Sequence, residues 1–122
     1  MRLALSTFLV FAASLVAFAP DASAQDPRIY VVTHVDLMPT YAADGAKLLK
    51  QYAIDSRHDK GSVRFEVLGE PTRKNHFTIV SVWENQAAFD SHLEAGHTRG
   101  FREKVQPMLG GPLDERLHTL FE

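Results

Sequence analysis

From Arg28 to Asp36 the chain reads RIYVVTHVD, rich in β-branched and aromatic residues and stopped by Leu37-Met38-Pro39, which predicts a strand. Past Pro39 the spacing turns helical: Tyr41, Ala42, Ala46, Leu48, Leu49, Tyr52 and Ala53 recur on one side, and the pattern fades over Arg57 to Gly61. Gly45 inside that helix costs about 1 kcal/mol relative to alanine, which points to close packing there. A second strand is predicted over Ser62 to Leu68, SVRFEVL, and a third over His76 to Trp83, HFTIVSVW. The polar connection Gly69 to Asn75 makes the pair an antiparallel hairpin with a loop.

Asn85 is placed to cap a further helix, on which Ala88, Phe89, His92 and Leu93 share a face. Gly96 interrupts it, and a short helix starting near His97 carries Phe101, Val105 and Leu109 before Pro107 and Gly110-Gly111-Pro112 end it. The alternating LDERLHTLF, Leu113 to Phe121, predicts a last strand. The order β-α-β-β-α-β is that of an α+β ferredoxin-like sandwich.

The strands carry apolar residues on two sides. In the third, Phe77, Ile79 and Trp83 oppose Val80 and Val82; in the second, Val63, Phe65 and Val67 oppose Leu68. An antiparallel sheet covered by helices on one face is normally wet on the other, so the second apolar face needs its own cover. A copy of the same sheet supplies it, which predicts a two-fold homodimer through sheet faces burying roughly 1,500 Å² in total.

The first residues, MRLALSTFLVFAASLVAFAPDASAQ, hold Arg2, an apolar run from Leu3 to Ala19, a break at Pro20 and then Ala22-Ser23-Ala24. That layout predicts a signal peptide over 1–24 cleaved after Ala24, with a retained membrane anchor as the alternative. One domain, 25–122, remains, and it is expected to have no membrane contact once the leader is removed. Its charge stays at the −2 of the whole chain, because cleavage removes one base, Arg2, and one acid, Asp21. No basic excess recruits nucleic acid or acidic lipid. The absence of cysteine excludes thiol catalysis, iron-sulfur clusters and Cys-zinc sites. Secretion without disulfides fits a bacterial periplasm.

Three stretches, GAKLLKQYAIDSR from Gly45, FEVL from Phe65 and HFTIVSVWENQAAFDSHLEAGHTRGF from His76, together resemble the antibiotic biosynthesis monooxygenase family. The most specific part is a strand ending in Trp-Glu followed by A-x-F-x-x-H-x-x-x-x-H. The resemblance implies a dimeric α/β barrel and an oxygenase that uses neither metal nor flavin, taking a small quinol or hydroxyaromatic substrate and O₂. Such chemistry needs an apolar cavity, a base for the phenolic proton and donors that steady the anion.

On this resemblance His92 and His97 are the candidate catalytic residues, and Trp83 and Phe89 line the substrate. Each has a plainer role open to it. Trp83 fills core as readily as it walls a pocket, His92 is a packed histidine beside Phe89 and Leu93, and His97 is a turn or cap residue. His34 and Arg64 alternate with apolar neighbours and are further substrate-binding candidates, facing either the helices or the dimer seam. Arg64 has a second role as the partner of an acid across the sheet or in another subunit.

No metal site is expected, since His92 and His97 lie five apart and do not stack on one helical face. A heme-degrading branch of the same superfamily uses an Asn on its first strand where this chain has Thr33 and His34, so heme is only the lesser alternative as cofactor. The same apolar cavity could also serve a module that binds a small aromatic without turning it over. The charged run Asp55, Arg57, His58, Asp59, Lys60 is expected to be solvated surface.

Overall fold

The computed structural model describes residues 13–17 and 26–122. The segment read as a signal peptide lies outside the described residues except for 13–17, which are exposed and without regular structure. From Ile29 onward the elements are β1 (Ile29–Asp36), a 3₁₀ turn (Pro39–Tyr41), α1 (Ala42–Arg57), β2 (Ser62–Gly69), β3 (His76–Trp83), α2 (Gln86–Glu94), α3 (Gly96–Val105), a second 3₁₀ turn (Gln106–Met108) and β4 (Asp114–His118). The four strands form one antiparallel sheet in the order β2-β3-β1-β4, the ferredoxin-like arrangement the element order predicts. Among the described residues, no helix is long and apolar enough to cross a membrane.

Alternation along the strands decides which side chains meet the helices. Val31, Thr33 and Val35 pair with Ser81, Ile79 and Phe77, and Phe65 pairs with Ser81, so these residues share one face. Leu49, Tyr52 and Ala53 of α1, Phe89 of α2, and Phe101 and Val105 of α3 close over that face to complete the core. Gly45 is buried against Leu37, and a Cβ there would collide with the leucine side chain, so the close packing expected of it is present.

Two expectations need correction. Val63 does not share the face of Phe65 and Val67: the register between β2 and β3 shifts between Ser62 and Arg64, which leaves Val63 as the extra residue of a bulge, half exposed. The last strand is also shorter than the alternation over Leu113 to Phe121 suggests. Its ladder to β1 ends at the Tyr30–His118 pair, one residue from the start of β1, so Leu120 and Phe121 run on without a strand to pair with.

The other face of the sheet carries an apolar strip. Tyr30 pairs with Val82 and Val32 with Val80, and Val82 is buried while the other three are partly so. Ion pairs Arg64–Glu66 and Asp114–Arg116 flank the strip.

Gly61 holds the connection between α1 and β2 at φ 83°, where a Cβ would also collide with Ala88 of α2. Both effects disfavour any side chain. Gly61→Ala is expected to cost about 2 to 4 kcal/mol from the left-handed backbone and overpacking together. The check is a denaturant midpoint lowered at unchanged slope.

Candidate functional site

The α2 helix starts where Asn85 Oδ1 accepts the Ala88 backbone N–H at 2.9 Å, a cap that sets which residues turn inward. Phe89 and His92, three apart, then face the sheet. At Ala95 the backbone becomes extended, with φ −62° and ψ 144°, and the chain restarts as α3 at Gly96. His97 therefore sits in the first turn of a new helix with a different axis. On one continuous helix, residues five apart point well away from each other. The break brings their rings to 5.9 Å.

What they meet is Asp59, in the turn after α1. Its backbone is fixed by Asp59 N–H donating to Ser56 O at 3.1 Å and by its own carbonyl accepting from Ser62 at 3.1 Å, while Glu84 N–H donates to Gly61 O at 2.9 Å. The Asp59 Oδ2 atom lies 2.8 Å from His92 Nδ1 and 2.8 Å from His97 Nε2. A carboxylate only accepts, so both rings present an N–H to it. With its proton on Nδ1, neutral His92 has a bare Nε2, and that atom lies 3.0 Å from the Tyr52 hydroxyl, which donates to it. The result is a chain Tyr52 O–H to His92 to Asp59, with His97 supporting the same carboxylate oxygen.

The surroundings are apolar and aromatic. Trp83 is wholly buried and stacks on the His92 ring at 4.4 Å, while its indole N–H donates to Ser81 Oγ at 3.1 Å. Tyr52 stacks on Phe101 at 4.0 Å and meets the edge of Phe65 at 5.2 Å. Burial holds the His92 pKa below its ordinary value, opposed by Asp59 and Glu115 and reinforced by His97. Burial also pushes the Tyr52 hydroxyl up to about 12, so it stays protonated at neutral pH.

The space between sheet and helices in front of Tyr52 and His92 is about 10 Å³, which fits one water molecule. The expected cavity is thus nearly filled by the aromatic side chains themselves, and an aromatic guest has to displace them. Its wall includes Arg102 and Glu115, paired at 3.1 Å, with Thr33 donating to Glu115 at 3.2 Å. On the outer side, an open groove of about 330 Å³ reaches Asp59 and His92 between Lys60, Gly61, Glu84 and Asn85.

Of the residues singled out from sequence, His92, His97, Trp83 and Phe89 gather here. Trp83 fills core, the plainer of its two readings, and stacks on the His92 ring. His34 and Arg64 do not join them: both are on the opposite face of the sheet, His34 Nδ1 3.2 Å from Thr78 Oγ1 and Arg64 paired with Glu66 at 2.7 Å. The acid that Arg64 meets is Glu66 itself, two residues along the same strand. The charged run after α1 also needs correction, because the Asp59 side chain is only 18% exposed and is the hub of the site. Asp59 and Tyr52 were hidden in the sequence, one inside a charged run and the other among core positions of a helix. Five-residue spacing does not keep the two histidines apart once the helix breaks, since donor atoms of Asp59, His92 and His97 all lie within 4.8 Å of one another.

Four antiparallel strands in this order beneath three helices define the class, a ferredoxin-like α+β domain with a buried histidine site between sheet and helices. The profile of the antibiotic biosynthesis monooxygenase family matches residues 28–104, and the chain belongs to that family. At the level of general chemistry this makes it a monooxygenase-family protein. The protein sll1783 of Synechocystis is 25% identical over 120 residues, covering 95% of this chain and 82% of the relative. Among solved structures, Rv0793 of Mycobacterium tuberculosis is similar with a TM-score of 0.74 at 15% identity, over 78% of this chain and 96% of that one. PA3566 of Pseudomonas aeruginosa is similar with a TM-score of 0.74 at 14% identity, over 82% and 100%. At such identities the structural likeness speaks for the fold alone.

Proposed function

We propose that this chain oxygenates a quinol or related hydroxyaromatic compound without metal or flavin, with His92 taking the phenolic proton. The observation that carries this reading is the state of His92. Asp59 fixes its proton on Nδ1, and the bare Nε2 faces the hydroxyl of Tyr52 on the apolar side of the site. A substrate hydroxyl entering that space donates to Tyr52 oxygen as Tyr52 donates to His92, so the proton passes to His92 without a charged tyrosine being stored. Asp59 then steadies the imidazolium. The electron-rich anion reduces O₂ by one electron, the radical pair combines at a ring carbon, and loss of water leaves a quinone that retains one oxygen atom. Quinol plus O₂ gives hydroxyquinone plus water, which balances without an outside reductant.

The test uses ¹⁸O₂ and metal-stripped protein with a set of quinols: one labelled atom in the product supports the reading, and no oxygen consumption with any of them contradicts it. Saturable binding of the same quinols without turnover would favour the non-catalytic binding module instead. Neutral His92 is the active form, so the rate rises with pH through its pKa. That midpoint is expected below about 6.5, because burial disfavours the charged ring, and a kcat/KM profile measures it. The folded state binds that proton less tightly than the unfolded one. The stability tied to His92 is therefore complete above about pH 6.5 and is lost as pH falls through the folded value.

The working unit in this reading is a two-fold dimer closed over the apolar strip of Tyr30, Val32, Val80 and Val82. Val80→Asp puts a charge at the centre of that strip on a partly exposed position, so the fold tolerates it while the seam does not. Light scattering is expected to give twice the chain mass for the parent protein and the single mass for the variant; a monomeric parent at micromolar concentration contradicts the dimer. The chain is also taken to be exported, and a mature form in the periplasm beginning at Gln25 is the result that supports it, whereas a cytoplasmic form retaining Met1 contradicts it.

A further inference from the structure

We propose that Asp59, His92 and His97 form a site for a divalent cation of the zinc class, and that its occupancy switches His92 off as a base. The switching half rests on the function proposed above; the site itself does not. Three elements converge with one donor each: Asp59 Oδ2 from the turn after α1, His92 Nδ1 from α2 and His97 Nε2 from α3, all within 4.8 Å. Two imidazoles and a carboxylate suit zinc and its transition-metal neighbours, whereas magnesium and calcium want oxygen alone.

The donors now stand 2.8 Å from the shared oxygen. Ligands on a tetrahedral ion with bonds of about 2.0 to 2.1 Å lie roughly 3.3 Å apart, so each contact has to open by about half an ångström. His97 and Asp59 are free to yield that much, with side chains 24% and 18% exposed, while His92 is held at 3%. The groove of about 330 Å³ beside Asp59 and His92 gives a hydrated ion its path and leaves room for water as the remaining ligand.

The consequence for His92 follows from counting ring protons. Each neutral imidazole has one N–H, and coordination through Nδ1 requires that proton to sit on Nε2. The Nε2–H then donates to Tyr52 oxygen, in reverse of the direction that a proton on Nδ1 sets, and the ring has no lone pair left for a substrate proton. Proton count and charge balance without release: the rings exchange one nitrogen for the other, and the cation meets a site of net charge −1.

The experiment titrates metal-stripped full chain with Zn²⁺ against a chromogenic chelator, and it needs no substrate. Expected are one tight equivalent per chain, binding weakened at least about 100-fold in His97→Ala and in Asp59→Asn, and binding retained in His58→Ala and His118→Ala, which remove exposed histidines outside the cluster. The partly exposed position of His97 keeps that variant folded, and circular dichroism verifies it. No stoichiometric binding, or equal binding in His97→Ala, overturns the site. Oxygen uptake by the parent protein is then expected to fall with the same midpoint as zinc binding. Binding without inhibition overturns the switch, and uptake that requires Fe²⁺ overturns both the switch and the metal-free reading of the reaction.

Discussion

His92→Gln is expected to lower kcat/KM for quinol oxidation by about 10²- to 10⁴-fold, the range general-base removal gives. Glutamine keeps polar atoms near both Asp59 and Tyr52, so the buried neighbours stay paired, yet its amide cannot take a proton at neutral pH. The loss is expected in kcat, with KM little changed, because His92 takes the proton only as the substrate ionises. Equal rates for parent and variant, with both folded, remove His92 from the chemistry.

Asp59→Asn is the second large effect. Both rings donate to the one oxygen Oδ2 in the parent, so the amide either puts its nitrogen there and leaves both N–H groups unpaired, or keeps them on a neutral oxygen that accepts more weakly. An unsatisfied buried polar group costs about 1 to 3 kcal/mol, visible in the melting curve. His92 also loses the group that fixes its proton on Nδ1 and favours its charged form. Activity is expected to fall by roughly 10²-fold as the wrong tautomer becomes populated. The acid midpoint of the remaining activity moves further down, because the effect that raises the His92 pKa is gone while burial remains. A variant that is merely less stable would lose activity without moving that midpoint, so the pH profile separates a positioning role from a structural one.

Much of the fold is legible in the pattern because each element solves a local problem with its own residues. The period-two runs at 29–36 and 76–83 appear as strands at nearly the expected bounds, and Asn85 caps α2 as its type and place suggest. The bulge at Val63 is not visible, since an extra residue in one strand depends on what the neighbouring strand does. Nor is the early end of β4, which is decided by where β1 begins.

The site divides in the same way. His92 and Trp83 are found from the sequence because they sit in a local motif on consecutive elements. Asp59 and Tyr52 are joined to His92 across 33 and 40 residues, so only the packing of α1 on the sheet brings them together. Charge alone suggested a solvated Asp59, and the turn fixed by Gly61 draws it inward instead. Five-residue spacing misplaces His97 relative to His92 because Gly96 marks an interruption without setting the new helix axis, which the extended backbone at Ala95 decides.

Proton abstraction by His92 can be separated from everything oxygen does afterwards. The measurement is the anaerobic absorption spectrum of a nitro-substituted phenol bound to chelator-treated protein, at a pH one unit below the pKa of the free phenol. The account predicts the visible band of the phenolate with the parent protein and its disappearance in His92→Gln. A bound phenol that stays protonated in the parent, or ionises equally in both proteins, contradicts it.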